Sequence, residues 1–285
     1  MAISLQRTAD LRSFIEAVRP WLLRNEVEHN LFLSIVRGII DAGIVLADPY
    51  CAVVRRGDEI VGCALRTPPH KLLLTQLSAE AVTFLVYDVG TVYDALPAVM
   101  GPAETARAFA IEWASLRAVS YTPGMLQRLY ALEEVTLPNV TPPGRFRLAA
   151  LQDSALAQGW LQAFVEEAGA FSIQPDLEAR RLIDGDRLAF WDHGGPVSMA
   201  AVSGRTDHGA RIGWVYTPPD HRRQGYAATL VARLTQRELD AGTRFCMLYT
   251  DLVNPTSNRL YQRLGYRPVA DIRDYDFADA RGSVE

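Results

Sequence analysis

One stretch of this chain has the residue types and spacing of an anion site: Val215-Tyr-Thr-Pro-Pro-Asp-His-Arg-Arg-Gln-Gly-Tyr-Ala-Ala228. It joins an apolar run, Ala210 to Tyr216, to an amphipathic segment that continues to about Asp240, so it reads as a loop between a buried strand and a helix. The first amides of a helix have no partner within it and sit at the positive end of its dipole. Phosphate groups bind there, and a glycine lets the backbone come close to them. Gly225 holds that position, after Gln224 and before Tyr226, Ala227 and Ala228, with Ala227 keeping the first turn narrow. Arg222 and Arg223 add fixed positive charge, at least one of them within reach of phosphate oxygens. The predicted ligand is a diphosphate. The same residues could also form a plain helix start with a solvated arginine pair.

The elements that hold this loop follow from hydrophobic periodicity. At 285 residues the chain has room for about two domains. The run Leu137-Pro-Asn-Val-Thr-Pro-Pro-Gly-Arg145 reads as a linker between them, giving domains at 1–140 and 141–285. In the first, helices are expected near Asp10–Leu23 and Leu31–Ala42. A hairpin follows, Tyr50–Arg55 and Glu59–Arg66 about Arg56-Gly57-Asp58, and then an apolar run from Lys71 to Leu77. A helix at Glu104–Leu116 and a closing strand at Met125–Val135 complete it. The second repeats the plan, with a strand at Phe146–Leu151 and helices at Ser154–Glu167 and Pro175–Asp184. Strands follow at Leu188–Trp191, Pro196–Val202 and Ala210–Tyr216, then the helix after Gly225 and a strand at Phe245–Tyr249. Thr67-Pro68-Pro69-His70 and Thr217-Pro218-Pro219-Asp220-His221 fall at comparable points of the two plans. Short connections of this kind argue for an α/β (α+β) fold with mixed sheets and helices packed on them.

The run Arg222-Arg-Gln-Gly225-Tyr-Ala227 resembles the Arg/Gln-x-x-Gly-x-Gly/Ala signature of the GCN5-related N-acetyltransferases (GNAT family), in the strand-loop-helix context that signature needs. Thr250-Asp-Leu-Val-Asn254 and Thr256-Ser-Asn-Arg-Leu-Tyr261-Gln-Arg-Leu-Gly265-Tyr266 resemble the family's last helix and the turn after it, and the likeness extends over about Phe146–Phe277. The resemblance implies two tandem GNAT-like domains, each a mixed, mostly antiparallel twisted sheet flanked by helices. It also implies a splay between the strands at Val215 and Phe245, where the pantetheine of acetyl-CoA adds to backbone groups near Val215 and Thr217. Asn254 would help hold that arm, and Tyr261 would protonate the leaving thiolate. Read by themselves, Asn254 fits a helix cap before Pro255, and Tyr261 a half-buried aromatic with its hydroxyl at the surface.

The implied reaction is direct attack of an amine, carried by a small molecule or a peptide, on the thioester of acetyl-CoA. Family members often carry a Glu on the strand before the loop as base, whereas here that strand reads Ala210-Arg-Ile-Gly-Trp-Val-Tyr216. Asp192, His193, Asp207 and His208 are the nearby polar candidates, each also a turn residue, and a water chain serves equally. The first half resembles a family member without its cofactor loop: His70-Lys71-Leu72 follows its Thr-Pro-Pro. Tyr130 and Glu133 there could face substrate or simply pack. The other reading is a non-catalytic acyl-CoA-binding sensor or scaffold, motivated by the missing strand carboxylate.

Composition excludes several classes. Twenty-nine basic against 33 acidic residues, net charge −4, gives no field for nucleic acid or anionic membrane, and no run reaches the roughly 20 apolar residues of a membrane span. Cys51, Cys63 and Cys246 lie in apolar runs without C-x-x-C spacing, and the five histidines lack ligand spacing. Buried thiols and no metal are therefore expected. No apolar leader opens the chain, so a cytoplasmic location is the expectation, with a frayed tail from Ala278 to Glu285.

Overall fold

The computed structural model describes residues 2–169 and 173–278. The tail expected to fray lies outside the described residues from 279 onward. The chain runs β1 (Ile3–Thr8), α1 (Leu11–Leu22), α2 (Asn30–Asp41), β2 (Tyr50–Arg56), β3 (Glu59–Arg66), β4 (Leu72–Leu74), α3 (Ala79–Gly90), β5 (Ala98–Pro102), α4 (Ala103–Arg117) and β6 (Tyr121–Leu132). It continues with β7 (Arg145–Leu148), α5 (Ser154–Ala168), α6 (Pro175–Asp184), β8 (Leu188–Asp192), β9 (Pro196–Arg205), β10 (Gly209–Tyr216), α7 (Tyr226–Asp240), β11 (Phe245–Asp251), α8 (Pro255–Arg263) and β12 (Arg267–Phe277). Apart from short 3-10 turns, β-α-α-β-β-β-α-β-α-β is therefore written twice.

Two compact units result: Met1–Arg128 with the residues from Ala270 onward, and Leu129–Val269. In the first, the hairpin pairs Arg56 with Glu59 about the Gly57 turn, where φ is +62°. Its sheet runs β1-β2-β3-β4-β5-β12-β6. Asp10 caps α1 through bonds to the amides of Arg12 and Ser13, and α1 lays Phe14, Val18 and Leu22 against one sheet face with α2. The other face packs on α3 and α4, through Val82, Leu85, Val86, Phe109 and Trp113.

In the second unit the order is β6-β11-β10-β9-β8-β7, with β6 present through its Leu129–Leu132 end. Helix α7 buries Leu230, Val231 and Leu234 on one face, and α5 and α6 bury Ala157, Leu161, Ala179 and Leu182 on the other. The closing strands of the two repeats are exchanged: β5 pairs with β12, Ile272 opposite Pro102 through Asp276 opposite Ala98, and β11 takes β6 as its neighbour. Backbone pairing carries β12 into the first unit despite its charges, two of which are met by Arg128 on Asp271 at 2.7 Å and by Lys71 on Asp274.

The structure corrects one sequence equivalence. Thr67-Pro68-Pro69 lies between β3 and β4, the place held by Thr206–His208 in the second repeat, whereas Thr217-Pro218-Pro219 follows β10. The first-repeat counterpart of the 217–225 loop is the much shorter Thr75–Ser78. All three cysteines are buried free thiols.

Candidate functional site

Strand β10 runs between β9 and β11. It pairs with β9 from Ala210 opposite Arg205 to Tyr216 opposite Met199, with a break in register between Gly213 and Tyr216. Inside that break Trp214 has φ +53°, the left-handed region, a conformation a bulky residue adopts only where its surroundings enforce it. The indole supplies the enforcement: it packs edge-on against Phe164 at 5.3 Å and donates to Glu178 Oε1 at 3.1 Å. Toward β11 the ladder is parallel and stops at Arg211 opposite Met247, although β10 continues to Tyr216 and β11 to Asp251. Val215 lies beyond the last paired residue of β10 on the β11 side.

The loop after β10 leads straight to α7. Its prolines turn the chain out of the sheet, and Thr217 Oγ1 pairs with Ser198 Oγ at 2.8 Å. Arg222 is spent on the loop itself, Nε donating to the Thr217 carbonyl at 2.8 Å and Nη2 to both Glu167 oxygens at 2.7 and 2.8 Å. Gln224 reaches the Asp220 carbonyl at 3.4 Å. Arg223 and Gly225 have φ of +63° and +82°, the left-handed region used where successive backbone amides form an anion-binding concavity.

The first bond into the helix is Thr229 N–H to Gly225 C=O at 3.1 Å, and no side chain caps the start. Among the described residues, the amides of Arg223 through Ala228 have no acceptor. A Cβ placed on Gly225 would meet Pro142 Cγ alone, at 4.0 Å.

The first repeat lacks every one of these features. Ser78 caps α3 by accepting from Ala81 N–H, and the Leu77 amide donates to Thr105 Oγ1 at 3.2 Å. Strands β4 and β5 are closed, since a Cβ on Gly101 would lie 2.9 Å from Leu74 Cβ. Among the described residues, the second repeat has an uncapped helix start after a ladder that ends early, and the first has a capped helix start beside tightly apposed strands.

Helix α8 carries the remaining residues. Asn254 caps it, Oδ1 accepting from Ser257 N–H at 3.1 Å, which is the role its residue type suggests, and its side-chain NH2 has no partner among the described residues. Tyr261 is more buried than its sequence suggested, 7% exposed, with its ring against Tyr266 at 6.1 Å. Burial pushes its phenol up to about 12, so it is protonated at neutral pH. Its hydroxyl has no hydrogen-bond partner among the described residues and is not sealed from solvent.

The candidate bases fare differently. Asp192 accepts from Arg147 at 2.7 Å and is held ionised below the usual carboxylate range by that bond. Asp207 and His208 turn the chain between β9 and β10, at the far end of β10 from Tyr216. His193 lies in the β8–β9 turn, its ring 6.2 Å from that of Tyr226. Sequence reasoning missed Glu178, the carboxylate that touches the bulge residue Trp214, because it comes from α6, where only an i,i+3 pairing with Arg181 marks it. It also missed Asn258 and the bond that Tyr130 donates to it at 2.9 Å. Among the described residues no group of three His, Cys, Asp or Glu could hold a metal, and no helix is long and apolar enough to cross a membrane.

Comparisons with known proteins agree with this geometry. The model of the acetyltransferase (GNAT) family matches residues 150–266. No curated protein matches the chain. Among solved structures, a GNAT-family acetyltransferase from Colwellia psychrerythraea aligns with a TM-score of 0.60 at 14% identity over 96% of this chain and 100% of its own. A GCN5-related N-acetyltransferase from Sphaerobacter thermophilus gives 0.60 at 14% identity over 99% and 97%. A tandem GNAT protein from the clavulanic acid biosynthesis pathway gives 0.58 at 12% identity over 99% and 100%. Residues 150–266 thus match the acetyltransferase (GNAT) family model, and these likenesses show a GNAT-like fold over the whole length, with a second GNAT-like copy before residue 150.

Proposed function

We propose that the second repeat transfers an acetyl group from acetyl-CoA to an amine of a small molecule or peptide. The family's fold supports acyl-CoA-dependent acetyl transfer in general. The observation that carries the finer reading is the set of amides from Arg223 to Ala228, without acceptors among the described residues, after a strand whose ladder with β11 ends at Arg211. The amides of Gln224, Gly225, Tyr226, Ala227 and Ala228 hold the diphosphate, with Arg223 adding charge. Arg222 acts on the loop's shape. The backbone at Val215 and Thr217 takes the pantetheine as an added strand, and the NH2 of Asn254 closes over it. The Thr217 carbonyl is already used by Arg222, which leaves its N–H for this role.

The acceptor nitrogen attacks the thioester carbon, forming C–N as C–S breaks. The Val215 N–H polarises the carbonyl, and approximation of the two reactants supplies much of the rate. Tyr261, neutral at pH 7, gives its proton to the departing sulfur, and the ammonium formed at nitrogen loses one to solvent through a water chain. With no carboxylate on β10 and Asp192 engaged by Arg147, that chain is preferred over a side-chain base. The location proposed is cytoplasmic, and no metal takes part.

The second reading, a non-catalytic acyl-CoA-binding sensor or scaffold, is favoured by the same lack of a strand carboxylate. Thiol release from acetyl-CoA over a panel of amines decides between them. Turnover with at least one amine, lost in Tyr261→Phe, supports the transferase. Saturable binding with no thiol release across the panel supports the sensor.

A further inference from the structure

We infer that Tyr130 is a positioning residue for the acyl-CoA site: from strand β6, its hydroxyl fixes Asn258, and through Asn258 the turn that presents Asn254. The inference rests on the function proposed above. Tyr130 is 1% exposed, and its hydroxyl donates to Asn258 Oδ1 at 2.9 Å while accepting from Gln262 Nε2 at 3.3 Å.

The bond decides which way the Asn258 amide faces. With its oxygen on Tyr130, its NH2 points at carbonyls that can only accept: Asp251 at 2.9 Å, Leu252 at 3.4 Å and Asn254 at 2.7 Å. These are the residues by which β11 ends and α8 begins. Within the turn Asn254 N–H donates to the Asp251 carbonyl at 3.1 Å, and Val253 N–H to Asp251 Oδ1 at 3.0 Å. Because Ser257 N–H occupies Asn254 Oδ1, the direction of the free Asn254 NH2 is set by the turn's backbone, and Asn258 is the side chain that spans it. Asn258 and Tyr261 are also three apart on α8, so they share one side of the helix.

Tyr130 belongs by chain order to the last strand of the first repeat, yet it packs in the core of the second unit with Tyr261 and Tyr266. The end of β6, from Leu129 onward, therefore belongs to the second unit's machinery. It locks the substrate turn, a role that requires no ligand of its own.

The test uses the full chain with Tyr130→Phe, which keeps the ring and removes the hydroxyl. Titration with acetyl-CoA should show a Kd raised about tenfold, the size expected for one well-made buried hydrogen bond. Hydrogen exchange should quicken at the amides of residues 251–258 without ligand present. Asn258→Ala should weaken binding similarly, and the double substitution should bind no more weakly than Asn258→Ala alone, because both act through one relay. A Tyr130→Phe protein with unchanged Kd and unchanged exchange overturns the inference, as do effects that multiply in the double variant. A wild-type chain that takes up no acetyl-CoA overturns the proposed function together with this inference, whereas wild-type uptake with an indifferent Tyr130→Phe overturns this inference alone.

Discussion

Arg222 faces Glu167, its Nη2 within 2.8 Å of both carboxylate oxygens, while its Nε bonds the Thr217 carbonyl. The two consecutive arginines of the signature therefore do different work. Arg223, with no such partners among the described residues, should carry the electrostatic part of ligand binding. Arg223→Ala is expected to weaken acetyl-CoA binding about fivefold at low salt and to flatten its salt dependence. Arg222→Ala should leave the salt dependence in place. Titration calorimetry at two ionic strengths checks both.

Gly225 has φ +82° with open space before it, so the cost of a side chain there divides into two parts. Gly225→Ala should lower stability by about 1–2 kcal/mol from backbone strain, since its methyl meets no close atom. The same methyl would stand where the diphosphate approaches, so affinity should fall far more than strain alone explains. Denaturation midpoints beside acetyl-CoA titrations separate the two effects.

Tyr261→Phe should lower kcat about 10²–10⁴-fold, the usual contribution of a positioned proton donor, with little change in KM for acetyl-CoA. The wild-type phenol, raised to about 12 by burial, should produce no fall in kcat between pH 7 and 10. Because its folded value lies above its unfolded one, the stability linked to this group is whole below pH 10 and is lost as pH rises through 12. A kcat profile with the matched Phe variant checks the assignment.

Arg147 binds Asp153 and Asp192, each at 2.7 Å, and both carboxyls are held below the usual range by those bonds. Their folded values are depressed, so the stability they contribute is present above about pH 4 and lost as pH falls through the lowered values. Arg147→Met should therefore reduce the difference in urea midpoint between pH 6 and pH 3. It should also leave acetyl transfer at pH 7.5 intact if Asp192 is not the base.

The loop before α7 and most elements of the second repeat were legible because periodicity and a helix-start signature coincide there. Pro175–Asp184 needed no tertiary information. Helix α3 was not legible: it buries Val82, Leu85, Val86 and Val89 yet also exposes Phe84 and Tyr87, so no polar face marks its period. Strand β12 hides for the opposite reason. Its Arg267-Pro-Val-Ala-Asp-Ile-Arg-Asp-Tyr-Asp-Phe277 is charged, and pairing with β5 organises it. A proline-rich linker cannot announce that the closing strands are exchanged. Nor does Tyr130, one aromatic in an apolar run, show that its hydroxyl meets Asn258. The Thr-Pro-Pro pair misled because local composition recurred at non-equivalent connections.

The account turns on the amides that open α7. Nitrogen-15 amide spectra of the full chain, recorded as acetyl-CoA is added, test them directly. The expected result is a saturable shift of the resonances from Arg223 to Ala228, with pantetheine, which lacks the diphosphate, failing to reproduce it. Saturation of the protein with these resonances unmoved, or no saturable change at all, would contradict the account.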